Sequence, residues 1–117
     1  MTPAAAVDRL VERVPELQEA CDEHLRDNAE LLPHVLFGDV FRFVVAAEAS
    51  GAEELVDRTL SALEALLHED ADDIRNLVAV SFVENVAWDD DDASKRIRRR
   101  LPSLLADALR RQRERRP

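Results

Sequence analysis

Glycine, cysteine and tyrosine are nearly missing from this chain: two glycines, one cysteine and no tyrosine in 117 residues. A lone Cys21 excludes an intramolecular disulfide and a multi-cysteine zinc site. One Trp and four Phe leave little aromatic material for strands, whereas abundant Ala, Leu, Glu, Asp and Arg favour helix. No apolar run of ~20 residues occurs, and no charged n-region leads into an apolar h-region. A soluble, cytoplasmic protein without a membrane partner is therefore expected. Lysine is scarce too, with one Lys against fifteen Arg, a bias of G+C-rich genomes that makes a bacterial source plausible. The length suits one domain, able to bury ~60–70% of the unfolded chain's surface.

Charge is abundant but segregated. Residues 1–93 hold 23 Asp and Glu against 6 Arg, a net −17, while residues 94–117 hold 10 Lys and Arg against 2 acids, a net +8. The junction is the Asp89–Asp92 run followed by Lys95-Arg96-Ile97-Arg98-Arg99-Arg100. An acidic body repels phosphates, and the basic stretch has no aromatic for base stacking, so direct nucleic-acid binding is not expected. A basic partner, or a second copy meeting acidic body with basic helix, suits the field.

Apolar spacing of three and four marks the helices. Thr2-Pro3 opens the first, with Val7, Leu10, Val14, Leu17, Cys21 and Leu25 as its stripe and Pro15 as a kink or break. The segment Leu31–Ala49 is apolar almost all round, which places it at the centre, with Gly38 allowing a neighbouring backbone close. Ser50-Gly51-Ala52-Glu53 has the capping-box pattern and predicts a helix from Gly51 to about His68, with Glu64 on its wet side. Asp70 is expected to cap a fourth helix, antiparallel to the third and burying Ile74, Leu77, Val78, Phe82 and Val86. A final helix follows the Asp run and bends at Pro102. The fold class is all-α: a five- or six-helix bundle or a short HEAT-like stack of antiparallel helices. Residues 1–109 form one domain and 110–117 a basic, frayed tail, since that tail has no apolar residue with which to dock.

Two polar groups interrupt the apolar faces. His34, Gly38 and Arg42 share one face of the central helix, with Asp39 three residues before Arg42; Ser81, Glu84 and Asn85 form a second set near Trp88. They constitute either a binding site or an internal network, with Glu84 beside Arg42 a natural interhelix pair. Ser81 as a nucleophile needs a base and an oxyanion hole, neither announced by spacing, so no catalytic residue is assigned. Metal sites are not expected either. Cys21/His24, Glu30/His34 and Glu64/His68 are ordinary helix-face pairs, and the Asp run lacks the glycine of an EF-hand loop. No cofactor motif is present.

Leu32-Pro33-His34-Val35-Leu36-Phe37-Gly38-Asp39 and Val78-Ala79-Val80-Ser81-Phe82-Val83-Glu84-Asn85 resemble the "LPH…GD" and "VSFxEN" segments of small, uncharacterised helical bacterial proteins, some of which look like immunity proteins of polymorphic toxin systems. The similarity lies within about residues 31–88. It implies a non-enzymatic, protein-binding module that occludes a toxin, with His34, Asp39, Arg42, Ser81, Glu84, Asn85 and Trp88 as candidate binding residues. The alternatives are a structural or regulatory homo-oligomer and a small-ligand-binding or enzymatic helical domain.

Overall fold

Proline and capping chemistry divide the chain into its helices, as the computed structural model, which describes residues 1–115, makes plain. Helix α1 (Pro3–Arg13) starts where the Thr2 hydroxyl accepts the Ala5 amide at 3.1 Å, with Pro3 in its first turn. Pro15 ends it outright: a 3₁₀ turn, Pro15–Leu17, leads into α2 (Gln18–Asn28). Helix α3 (Pro33–Ala49) follows, then α4 (Glu53–Leu67), α5 (Asp72–Val78), α6 (Glu84–Trp88), α7 (Asp92–Arg99) and α8 (Ser103–Glu114). A π-helical turn, Ala79–Val83, joins α5 to α6 in one rod. Among the described residues no strand occurs.

The all-α class holds, but there are more helices than five or six, because both Pro15 and Pro102 break the chain rather than bend it. Pro102 stands in extended conformation at the N-cap of α8. Helix α3 is the hub, touching α2, α4, the α5–π–α6 rod and α7, while α4 also packs on α1 and α8. A linear stack would restrict each helix to its neighbours, so this arrangement is a bundle. Its core joins Leu10, Val14 and Leu17 to Phe37, Val44, Leu60, Leu63, Ile74, Phe82, Ile97 and Leu105, all at most 2% exposed. Phe41 meets Phe82 edge-on, with ring centroids 6.2 Å apart. The 13.3 Å radius of gyration matches the ~13 Å of a compact chain this long.

Four local expectations are corrected by the backbone and its caps. Ser50 does not cap α4. Its hydroxyl donates to Ala47 O at the end of α3, Gly51 adopts φ +81°, and the Gly51 and Ala52 amides return to Glu48 O and Ala47 O, a Schellman closure. Helix α4 consequently starts at Glu53. Ala71 rather than Asp70 occupies the N-cap of α5, and Asp70 pairs with Arg75 at 3.0 Å. Gly38 admits no close backbone, since a Cβ there would meet only the Arg42 guanidinium at 3.9 Å. The tail is helical through Glu114: Arg110 pairs with Asp107 and Glu114 along α8, and Gln112 donates to Ala79 O. Arg116 and Pro117, the end of the expected tail, lie outside the described residues.

Candidate functional site

The charge segregation closes within the chain. Asp91 caps α7, accepting the Ala93 amide at 2.8 Å, and α7 then lies along α3. Glu48, in the last turn of α3, is 7% exposed and accepts from Arg96 Nε at 3.2 Å and Arg100 Nη1 at 2.6 Å. Arg100 also bonds Asp57 of α4 at 2.6 Å, which raises the Arg100 pKa, hydrogen bonding outweighing its partial desolvation. Arg98 Nη1 donates to Val86 O and Asp89 O, satisfying carbonyls at the C-terminal end of α6 where helix geometry leaves them unpaired. Most of the basic cluster at residues 96–100 therefore serves the fold.

Glu48 and Glu64 are structural acids that reading by sequence missed. Phe37, Phe41, Val44 and Glu48 fall on one helical face, and that register was the available signal for a buried carboxylate. Glu64 is not simply wet: its carboxylate accepts the Leu104 and Leu105 amides at 2.8 and 2.9 Å, capping α8 from a different helix.

The candidate binding residues separate into three groups. In the first, His34 Nδ1 and Ser81 Oγ are 2.6 Å apart, joining the start of α3 to the π-turn. Within the same rod the Asn85 side chain donates to Ser81 O at 2.9 Å. A base thus stands beside Ser81 after all, 47 residues away and invisible to spacing. However, Ser81 is buried, where a substrate does not reach its hydroxyl.

In the second group Asp39 pairs with Arg42 on α3, and its other oxygen lies 3.8 Å from Nδ1 of buried His24. His24 Nε2 accepts the Leu32 amide at 3.0 Å, so the neutral ring carries its proton on Nδ1, toward Asp39. His24 fixes the entry to α3. That amide occupies the lone pair a metal would need, and among the described residues no three His, Cys, Asp or Glu side chains form a metal-binding group. Cys21 is buried nearby, its thiol pKa pushed up by desolvation and then by Asp22, Asp39 and Asp8.

The third group lies at the far end of the α3–α6 seam. Glu84, Asn85 and Trp88 line a cleft of about 350 Å³ with Phe41 and Asp89. Trp88 is 42% exposed, an unusual setting for the only tryptophan, and the Asp89–Asp92 run begins beside it. Asp89 is held by the Ser94 hydroxyl at 2.6 Å, which orients this rim.

These features define a small all-α bundle in which several ion pairs, Glu48 with Arg96 and Arg100 among them, join one helix to another. The chain belongs to the family described as Domain of unknown function (DUF7674), whose model matches residues 7–115. That span takes in most of α1 and all of α8, far more than the 31–88 region in which the resemblance of motifs was found. No curated protein and no solved structure matches the chain.

Proposed function

We infer that the chain is a non-enzymatic protein-binding module whose acidic face engages a basic partner, with Trp88 as an anchor. The observation that carries the reading is the Trp88 cleft: an exposed indole flanked by Phe41, Glu84 and Asp89 at the head of an aspartate run. Tryptophan is enriched among residues that dominate interface energy, and acidic rims accelerate encounter with a basic surface. An Arg or Lys from the partner would find carboxylates and an aromatic face together. The resemblance of the "LPH…GD" and "VSFxEN" segments supports the finer reading: an immunity protein that neutralises a basic toxin by occlusion.

The test is capture of the toxin encoded beside this gene, at low salt and at ~0.5 M, where exposed ion pairs are screened but packed anchors persist. Binding that survives salt and falls at least about tenfold in Trp88→Ala supports the reading. No binding to such a protein removes the immunity version, and binding unchanged in Trp88→Ala removes the assigned face. A head-to-tail homo-oligomer has less support, because Glu48, Asp57 and backbone carbonyls of the same chain already engage Arg96, Arg98 and Arg100.

A further inference from the structure

A second cleft, at the opposite chemical extreme, lies where α8 crosses the α5–π rod. It measures about 320 Å³, and three guanidiniums line it: Arg75 from α5, with Arg111 and Arg115 from the end of α8. Its apolar walls include Val80, 42% exposed on the π-turn, and Leu104. Gln112 bridges the two sides by donating to Ala79 O at 3.3 Å.

The cations of the cleft are unequally committed. Arg75 is already engaged, its Nη2 bound by Asp70 and Asp72 at 3.0 and 3.4 Å and its Nε buried beneath the surface of the cleft. Arg111 and Arg115 differ from Arg96 and Arg100: among the described residues neither has an acidic side chain within ion-pairing distance. In a chain of net −9, three guanidiniums around one concavity are conspicuous. The size is at the small end of small-molecule sites, and the combination of an apolar wall with a few convergent polar groups is theirs as well.

We propose that this cleft binds a small amphipathic anion, a single carboxylate or phosphate head on an apolar body, with the head held by Arg111 and Arg115 beside Arg75 and the body against Val80 and Leu104. Guanidinium forks match either head geometrically, and the apolar wall excludes inorganic ions from tight binding. The site is independent of the Trp88 face and of the protein-binding reading.

Calorimetric titration of the full chain with decanoate, decyl phosphate, decan-1-ol and inorganic phosphate tests it. Decanoate or decyl phosphate is expected to bind at least about tenfold more tightly than decanol or phosphate, and the stronger of the two identifies the head group. The double variant Arg111→Ala/Arg115→Ala should lose at least about tenfold of that affinity while its circular dichroism stays unchanged, both side chains being exposed. Val80→Glu, which sets a carboxylate on the wall, should abolish binding without touching an arginine. Absence of binding by both amphiphiles at about 1 mM overturns the proposal, as does binding of decanol equal to theirs or binding indifferent to either variant. An adventitious surface association, seen as weak heat unaffected by Val80→Glu, overturns it equally.

Discussion

Replacing Glu48 by Gln should be the most damaging single change of one polar side chain in this fold. The carboxylate is 7% exposed and holds two helices by two charge-assisted bonds, to Arg96 at 3.2 Å and Arg100 at 2.6 Å. Glutamine keeps the volume, but its amide nitrogen faces one of the two guanidinium donors, so one bond is lost and the other weakened. Hydrogen bonds to charged groups contribute about 1.5–3 kcal/mol each. Arg96 is 48% exposed and regains water, which cuts its share. The net loss is then about 2 kcal/mol, a sizeable part of the ~6–18 kcal/mol that ~0.05–0.15 kcal/mol per residue gives a chain of this length. In urea unfolding followed by far-ultraviolet circular dichroism, the midpoint should fall with an unchanged m-value. A cycle with Arg100→Gln should return a coupling of about 1 kcal/mol or more. A loss below about 0.5 kcal/mol, or no coupling, would refute the claim that this pair fastens α7 to α3.

Glu64→Ala removes the acceptor for two α8 amides and should lower stability by about 1 kcal/mol, with hydrogen-exchange protection lost first in the first turn of α8. Gly38→Ala should raise it by up to about 1 kcal/mol, because the position is helical and a methyl group there meets only a flexible guanidinium at 3.9 Å; a lowered melting temperature would show that the space is not usable. The exposed Glu16–Arg58–Glu54 cluster predicts a pH effect. Arg58 bonds both Glu16 oxygens, at 2.7 and 2.8 Å, and both Glu54 oxygens at 3.0 Å, and these bonds hold both carboxyl pKa values below 4.5 and raise that of Arg58. Because the folded pKa values are depressed, the pairing stabilises the fold above the ordinary carboxyl range, and the contribution disappears as pH falls through the depressed values. Melting curves should therefore show wild type more stable than Arg58→Gln at neutral pH, with the gap narrowing steadily in acid; a gap independent of pH would refute the assignment.

Periodicity made the helices and the central position of α3 readable, since buried stripes at three and four residues leave little choice of face. The buried set Ile74, Leu77, Val78, Phe82 and Val86 was correct even though a π-turn interrupts it, because those residues keep facing the hub. What could not be read was which partner a polar side chain takes when several are chemically equivalent. Ser50 had a capping-box Glu three residues ahead, yet the left-handed Gly51 turned its hydroxyl to the previous helix. Glu64 looked like a wet-face residue and caps a helix 40 residues away. His34 and Ser81 were both singled out, but their meeting depends on how two rods cross, which no local spacing encodes. The arginine tail was expected to fray for want of apolar anchors; its described part continues α8 to Glu114, with ion pairs along the helix and one amide-to-carbonyl bridge.

The division of charge along the chain has a consequence for function that the contacts sharpen. Had the basic segment remained exposed, it would cancel much of the acidic body's field and leave no preference for a partner's sign. Instead, Arg96 and Arg100 spend their charge on Glu48 and Asp57, and Arg98 on helix-end carbonyls. Asp89 and Asp91 bond a hydroxyl and an amide rather than cations, so the rim beside Trp88 keeps its negative sign. Two cations with no acidic partner among the described residues meet at α8, where Arg111 and Arg115 flank an apolar cleft. One small bundle thus presents two clefts of opposite sign, and under the two proposals made above each takes a different class of ligand: a basic protein surface at Trp88 and an amphipathic anion at α8. Reversing the sign of one face, by Asp90→Lys or by Arg111→Glu, should therefore disable one binding activity and leave the other intact.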